Sequence, residues 1–140
     1  MAPVNACSSL MNTSPNSRWL APEIIKPLPC ATGVAVESKP ADIFAFGMLV
    51  IEVLTGKPPF EGCSEPGAAC KILRGDRPEL AQNAGDVDLT DPMRDLIKRC
   101  WHENPTERPE IGKVVTLWEG FLRVENDEYV KGTSNNLSRF

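Results

Sequence analysis

The residue types that carry chemistry are thinly spread along this chain, and their spacing limits what they can do. His102 is the only histidine. It lies in HENPTERP, a polar, proline-punctuated loop that suits a structural role better than that of a general base, which needs a partner within hydrogen-bond reach. The five cysteines, Cys7, Cys30, Cys63, Cys70 and Cys100, are odd in number, and no two stand at the close spacing of a metal knuckle. They read as reduced thiols of an intracellular protein. No glycine-rich turn follows a strand to cradle a phosphate, and no acids and bases are clustered for proton transfer. On its residues alone the chain offers no catalytic, cofactor-binding or metal-binding set.

The elements that position these groups are marked by caps and apolar spacing. The dominant one runs from Ser38 to Gly56, where Ile43 to Ile51 holds nothing more polar than Gly47 and no charge. Ser38 can accept an N–H of the first turn, and Pro40 fits a turn whose N–H groups are orphaned in any case. Gly56 suits a left-handed stop, and Pro58 and Pro59 forbid continuation. A short apolar run can also be a buried strand, but the length between these caps favours a helix. A helix apolar all round is enclosed, so this one is expected to be the central post of a helical domain. Interrupted by Glu52, the run is too short to span a bilayer.

The rest of the chain groups around that post. In RWLAPEIIK, Arg18 to Lys26, Pro22 is placed to open one or two helical turns, and Pro27 to Lys39 reads as an irregular connection. Ala68 to Leu73 predicts a weakly amphipathic helix ended by Gly75. Met93, Leu96, Ile97, Cys100 and Trp101 recur at helical spacing behind Thr90 or Asp91 and Pro92. Ile111, Val114, Val115, Trp118, Phe121 and Leu122 repeat the stripe behind Pro109. Trp101 and Trp118, lying on these stripes, read as core. No convincing strand pair stands out, so the expected class is mainly α. Residues 1–17, rich in Ser, Asn, Thr and Pro, read as mobile, 18–122 as the helical domain and 123–140 as a solvated tail.

Composition bounds the function. At 140 residues, with 41% hydrophobic and 24% charged residues, the chain is one soluble domain's worth. A net charge of -4 argues against nucleic acid or an anionic membrane as a partner. Met1 to Ser17 has neither the basic head nor the apolar centre of a signal peptide. A cytoplasmic location is expected.

Three stretches, in this order, resemble the C-terminal half of a eukaryotic protein kinase domain. Arg18-Trp19-Leu20-Ala21-Pro22-Glu23 is similar to the end of the activation segment with its Ala-Pro-Glu signature. Ala41-Asp42-Ile43-Phe44-Ala45-Phe46-Gly47 is similar to the opening of the family's central helix, and LTGKPPF follows it. Arg99-Cys100-Trp101-His102-Glu103-Asn104-Pro105-Thr106-Glu107-Arg108-Pro109 resembles the tyrosine-kinase-like branch of serine/threonine kinases, as does the turn Gly75-Asp76-Arg77-Pro78. The resemblance covers about Arg18 to Leu122. It implies the helical C-lobe of the protein-kinase-like fold, with the N-lobe, the catalytic loop and the first part of the activation segment missing. Residues 1–17 then stand as a remnant of that segment.

The resemblance also implies roles. Glu23 pairs with Arg108, tying the activation segment to the loop before the last helix, a task suited to a bidentate carboxylate–guanidinium pair. Asp42 accepts backbone N–H groups of the catalytic loop and anchors the central helix, although a first-turn acid is favoured by the helix dipole in any case. Trp19 and Leu20 form the floor under a protein substrate. Pro15 and Asn16 replace the family's Gly-Thr, and Phe44 and Ala45 its Trp and Ser.

Phosphoryl transfer needs a glycine-rich loop, a strand lysine paired with a helix glutamate, the H-R-D loop and the D-F-G aspartate. None occurs in the seventeen residues before Arg18 or later. A complete parent domain uses ATP and Mg to phosphorylate protein Ser or Thr, with Tyr also open, whereas this chain holds no cofactor site. Two readings follow: a C-terminal fragment of a kinase domain, inactive by itself, or a kinase-derived docking module. The position of Met1 within the activation segment favours the fragment. Expected partners are a protein substrate or docking partner, and a second copy meeting an uncovered face of the central helix.

Overall fold

The computed structural model describes residues 15–26, 38–80, 83–84 and 87–123. A 3-10 turn, Ser17–Trp19, leads into the short helix α1, Pro22–Ile25. Three longer helices follow: α2, Lys39–Thr55; α3, Glu65–Leu73; and α4, Asp91–Cys100. A second 3-10 turn covers Pro105–Glu107, and a last helix, α5, spans residues 111–123. The chain divides at Pro109/Glu110 into two compact units, a boundary that falls inside the 18–122 domain expected from the sequence. Residues 27–37 of the expected connection Pro27–Lys39, most of segment 1–17 and all but Arg123 of the tail lie outside the described residues; Ser38 and Lys39 of that connection instead cap and begin α2.

The caps of α2 work as their residue types dictate. The Ser38 hydroxyl accepts the Ala41 N–H at 3.4 Å, with Pro40 in the first turn. At the other end Gly56 adopts φ 66°, a left-handed conformation costly for any residue with a Cβ, and donates its N–H to Glu52. Helix α3 starts three residues before the expected Ala68, because Ser64 accepts the Gly67 N–H and Pro66 sits in the first turn. Its end is followed by Gly75 at φ 87°. The one departure from helix among the described residues is a minimal antiparallel pair, β1 (Asn83–Ala84) with β2 (Val87–Asp88), in register Asn83 to Asp88 and Ala84 to Val87. Two residues a side carry too little periodicity to be seen in a sequence.

The core sits where α2 packs on α4. Ile43, Phe44, Met48 and Ile51 of α2 are buried, as are Met93, Leu96, Ile97, Cys100 and Trp101 from the stripe of α4. Gly47 makes the close approach possible, since a Cβ on it would lie 3.1 Å from the Cys100 Cβ. Burial also pushes the Cys100 thiol up to about 11, so it packs as a neutral apolar group.

Three expectations need correction. The enclosure that the apolar run of α2 suggests is not found: Leu49 is 49% exposed and Val53 74% exposed, in keeping with the uncovered face expected of the central helix. In the second unit Val114 of the α5 stripe is buried, but Ile111, Val115 and Leu122 are exposed, and Trp118 is only half-buried, set edge-on to Phe121. The cysteines are not all reduced: Cys63 and Cys100 are free, whereas Cys70 is disulfide-bonded.

The Gly47 contact is testable. Gly47→Val should lower unfolding stability by about 1–3 kcal/mol through overpacking against Cys100, and Gly47→Ala by less, since alanine's helix propensity offsets part of the crowding. Urea unfolding of both variants measures it.

Candidate functional site

The first unit is pinned by arginines. Arg108 follows the Pro105–Glu107 turn, and its side chain has no solvent exposure. A guanidinium has five N–H donors in a planar fork, and each finds an acceptor. Nη1 and Nη2 donate to the two Glu23 carboxylate oxygens at 2.6 and 3.0 Å. Nη1 also donates to the Pro40 carbonyl at 2.9 Å, and Nη2 to the Glu103 carbonyl at 3.4 Å. Nε donates to the His102 carbonyl at 2.8 Å. Thus α1, the start of α2 and the 102–108 loop meet on one cation. For Glu23, burial pushes the carboxyl pKa up, but the hydrogen bonds and charge of Arg108 outweigh it and the net shift is downward.

Two guanidiniums approach the ring of Phe44, Arg77 at 5.0 Å and Arg108 at 5.1 Å from its centroid. Arg77, from the Gly75-Asp76-Arg77-Pro78 turn, donates to the Trp101 carbonyl at 2.9 Å and to Glu103 at 2.7 Å. Arg18 fixes the third corner. It donates to Glu65 at 2.5 Å, to the Pro59 and Phe60 carbonyls at 3.0 Å each, and to the Cys63 carbonyl. Sequence reasoning quoted Arg18 and Arg77 as motif letters and gave them no role. The available signal is an arginine in a chain with turns rich in proline and glycine, because such turns expose carbonyls that a side chain can satisfy.

Of the remaining predicted residues, Trp19 and Asp42 lie on the open side of α2. Trp19 donates its indole N–H to Glu52 at 3.0 Å. With Asp42, Phe46 and Leu49 it lines a groove of about 530 Å3. Asp42 is exposed in the first turn of α2. Leu20 is half-buried and is not part of the groove lining, so the structure brings Trp19 and Asp42 to one surface and leaves Leu20 off it. His102 is exposed, its Nδ1 accepting the Asn104 N–H at 3.1 Å. Among the described residues no group of three His, Cys, Asp or Glu is placed to hold a metal ion.

A family profile described as protein tyrosine and serine/threonine kinase matches residues 5–117. The chain belongs to this family. It is 34% identical over 115 residues to a serine/threonine/tyrosine-protein kinase of Arabidopsis thaliana, covering 81% of this chain and 25% of that protein. It is 36% identical over 108 residues to a putative serine/threonine-protein kinase/receptor of Acanthamoeba polyphaga mimivirus, covering 77% of this chain and 6% of that protein. It is 32% identical over 125 residues to human atrial natriuretic peptide receptor 2, covering 85% of this chain and 11% of the receptor. The chain therefore spans between 6% and 25% of the length of these relatives. It carries part of a kinase domain, and that part is mainly helical.

The Glu23–Arg108 geometry sets an expected energy. Arg108→Ala strands a partly buried carboxylate and should cost about 3 kcal/mol. A double-mutant cycle with Glu23→Ala should give a coupling well above the roughly 1 kcal/mol of an exposed pair. Because the folded-state pKa of Glu23 lies below its unfolded value, its contribution is present above the unfolded pKa and is lost as pH falls through the folded one. Glu23→Gln should therefore flatten the acid limb of the stability curve, read by denaturant unfolding at a series of pH values.

Proposed function

We propose that this chain supplies the part of a kinase domain that holds the end of the activation segment and receives a protein substrate, in a parent that phosphorylates protein hydroxyls with ATP and Mg. The observation that carries this reading is the Glu23–Arg108 clamp. It fixes the segment from Arg18 to Glu23 beside the groove on α2. On this reading Trp19 and Leu20 form the substrate floor, and Asp42 anchors whatever covers the start of α2. The residues present do not fit a nucleotide or magnesium: the phosphate-cradling, lysine–glutamate, H-R-D and D-F-G elements are absent from the sequence given. No step is assigned to them. The 140-residue chain alone is thus expected to bind no nucleotide and to transfer no phosphoryl group. Titrating Mg-ATP while following thermal unfolding tests this, since any ligand of the native state raises the midpoint; the expected shift is nil, and a saturable rise overturns the reading.

A second reading, a docking module, is favoured by the open face of α2. Leu49 and Val53 are exposed there beside Asp42 and the half-buried Phe46. An uncovered apolar face of this kind meets a partner or a second copy of the chain. Under this reading the chain binds an apolar dye and self-associates as concentration rises, and Asp42→Asn is close to neutral in stability. A dye-free monomer strongly destabilised by Asp42→Asn would end it.

No helix among the described residues is long and apolar enough to cross a membrane. We place the chain in the cytoplasm on composition; the disulfide at Cys70 runs against that placement, because cytosolic thiols are held reduced.

A further inference from the structure

A second surface has a different chemistry from the α2 groove. The end of α3 and the end of α4 enclose a cleft of about 470 Å3, whose lining includes Arg74, Arg77, Lys98, Trp101, His102 and Glu103. Three formal cations face one acid there in a chain of net charge -4. The acid is already engaged, since Glu103 accepts from Arg77 at 2.7 Å. Arg74 and Lys98 pair with no carboxylate among the described residues. His102 brings an imidazole to the same lining, its Nδ1 turned to the Asn104 backbone, 3.1 Å from the N–H nitrogen and 3.4 Å from the carbonyl oxygen.

Cations in the last turn of a helix are favoured by its dipole. That accounts for Lys98 by itself. It does not account for Arg74, Lys98 and His102 lining one concave surface beside an indole. A guanidinium, an ammonium and an imidazole N–H are the donor set that holds a phosphate monoester dianion.

We propose that this cleft binds a phosphorylated side chain of a protein or peptide. Arg74 and Lys98 hold the phosphoryl oxygens, and His102 donates a further hydrogen bond. Trp101 and Leu73 supply apolar wall for the peptide that carries the phosphate. The cleft is compact and the chain's net charge is negative, which suits a single dianion on an otherwise neutral carrier. An extended polyanion or a membrane surface would need a stripe of positive charge. The proposal does not depend on whether the chain transfers a phosphoryl group.

Calorimetric titration of the full chain tests it. The ligands are a short peptide uncharged except for one phosphothreonine, its unphosphorylated twin, inorganic phosphate, and vesicles of phosphatidylcholine and phosphatidylserine. The phosphopeptide should bind at least about tenfold tighter than its twin and than inorganic phosphate. Arg74→Glu and Lys98→Glu should each abolish that margin while leaving the circular dichroism and melting midpoint unchanged. Where a charge reversal disturbs the fold, Arg74→Gln and Lys98→Gln should still lose most of it. Equal binding of the two peptides, or inorganic phosphate binding as tightly as the phosphopeptide, overturns the proposal. So does vesicle binding that the same variants remove, or phosphopeptide binding that survives all four.

Discussion

The fold of the first unit depends on one buried cation. A guanidinium withdrawn from water costs several kcal/mol unless its charge and all its donors are met. Arg108 meets that demand with the Glu23 carboxylate, three backbone carbonyls and the face of Phe44. The acceptors come from α1, from the start of α2 and from the loop after α4. The shortest of these pieces cannot stand alone: α1 has four residues, too few to nucleate a helix in isolation. The constraint therefore runs from tertiary to local structure. Glu23 is held where it is because Arg108 cannot be left unpaired, and α1 is held with it.

Arg77 and Arg18 extend the same device. Arg77 shares the Phe44 ring with Arg108 and reaches the carbonyl that ends α4, so it joins α3's exit to α4's exit. Arg18 gathers the carbonyls of the 59–63 turn, where Phe60 adopts a positive φ of 56°. Lysine could serve at none of these corners, since each needs several donors fixed in one plane. With few long helices to bury, the unit uses directed hydrogen bonds to hold its turns and leaves the apolar contact of α2 with α4 as its core.

That arrangement divides α2 into two faces with different consequences. Ile43, Phe44, Gly47, Met48 and Ile51 face the core, and close packing there leaves no room for side-chain change. Asp42, Phe46 and Leu49 face the groove with Trp19. A helix with an unbroken apolar run thus keeps one side open, and the chain spans only part of the length of the kinases it resembles.

Local hydrogen bonding and the inward face of α4 were legible in the sequence; which sides of α2 and α5 stay open was not. Ser38, Pro40 and Gly56 state where α2 begins and ends, because a cap is satisfied within a few residues of itself. The stripe from Met93 to Trp101 states which face of α4 is inward, and every member of it is buried. The ordered kinase-like motifs carried the family, which the profile match supports over most of the chain. The start of α3 was also written locally, in Ser64 and Pro66, and was passed over for the apolar residues after it. What only the tertiary structure decided concerns distant partners. The uniform run from Ile43 to Ile51 does not say which side stays open, since that depends on which elements reach it. The α5 stripe does not say that Ile111 and Leu122 remain exposed. Nor does any spacing reveal that Arg77 and Arg108 converge on Phe44, across 33 and 64 residues of chain. A cap is a short-range hydrogen bond encoded by its neighbours, whereas burial and charge pairing are made between segments whose proximity exists only once the chain has folded.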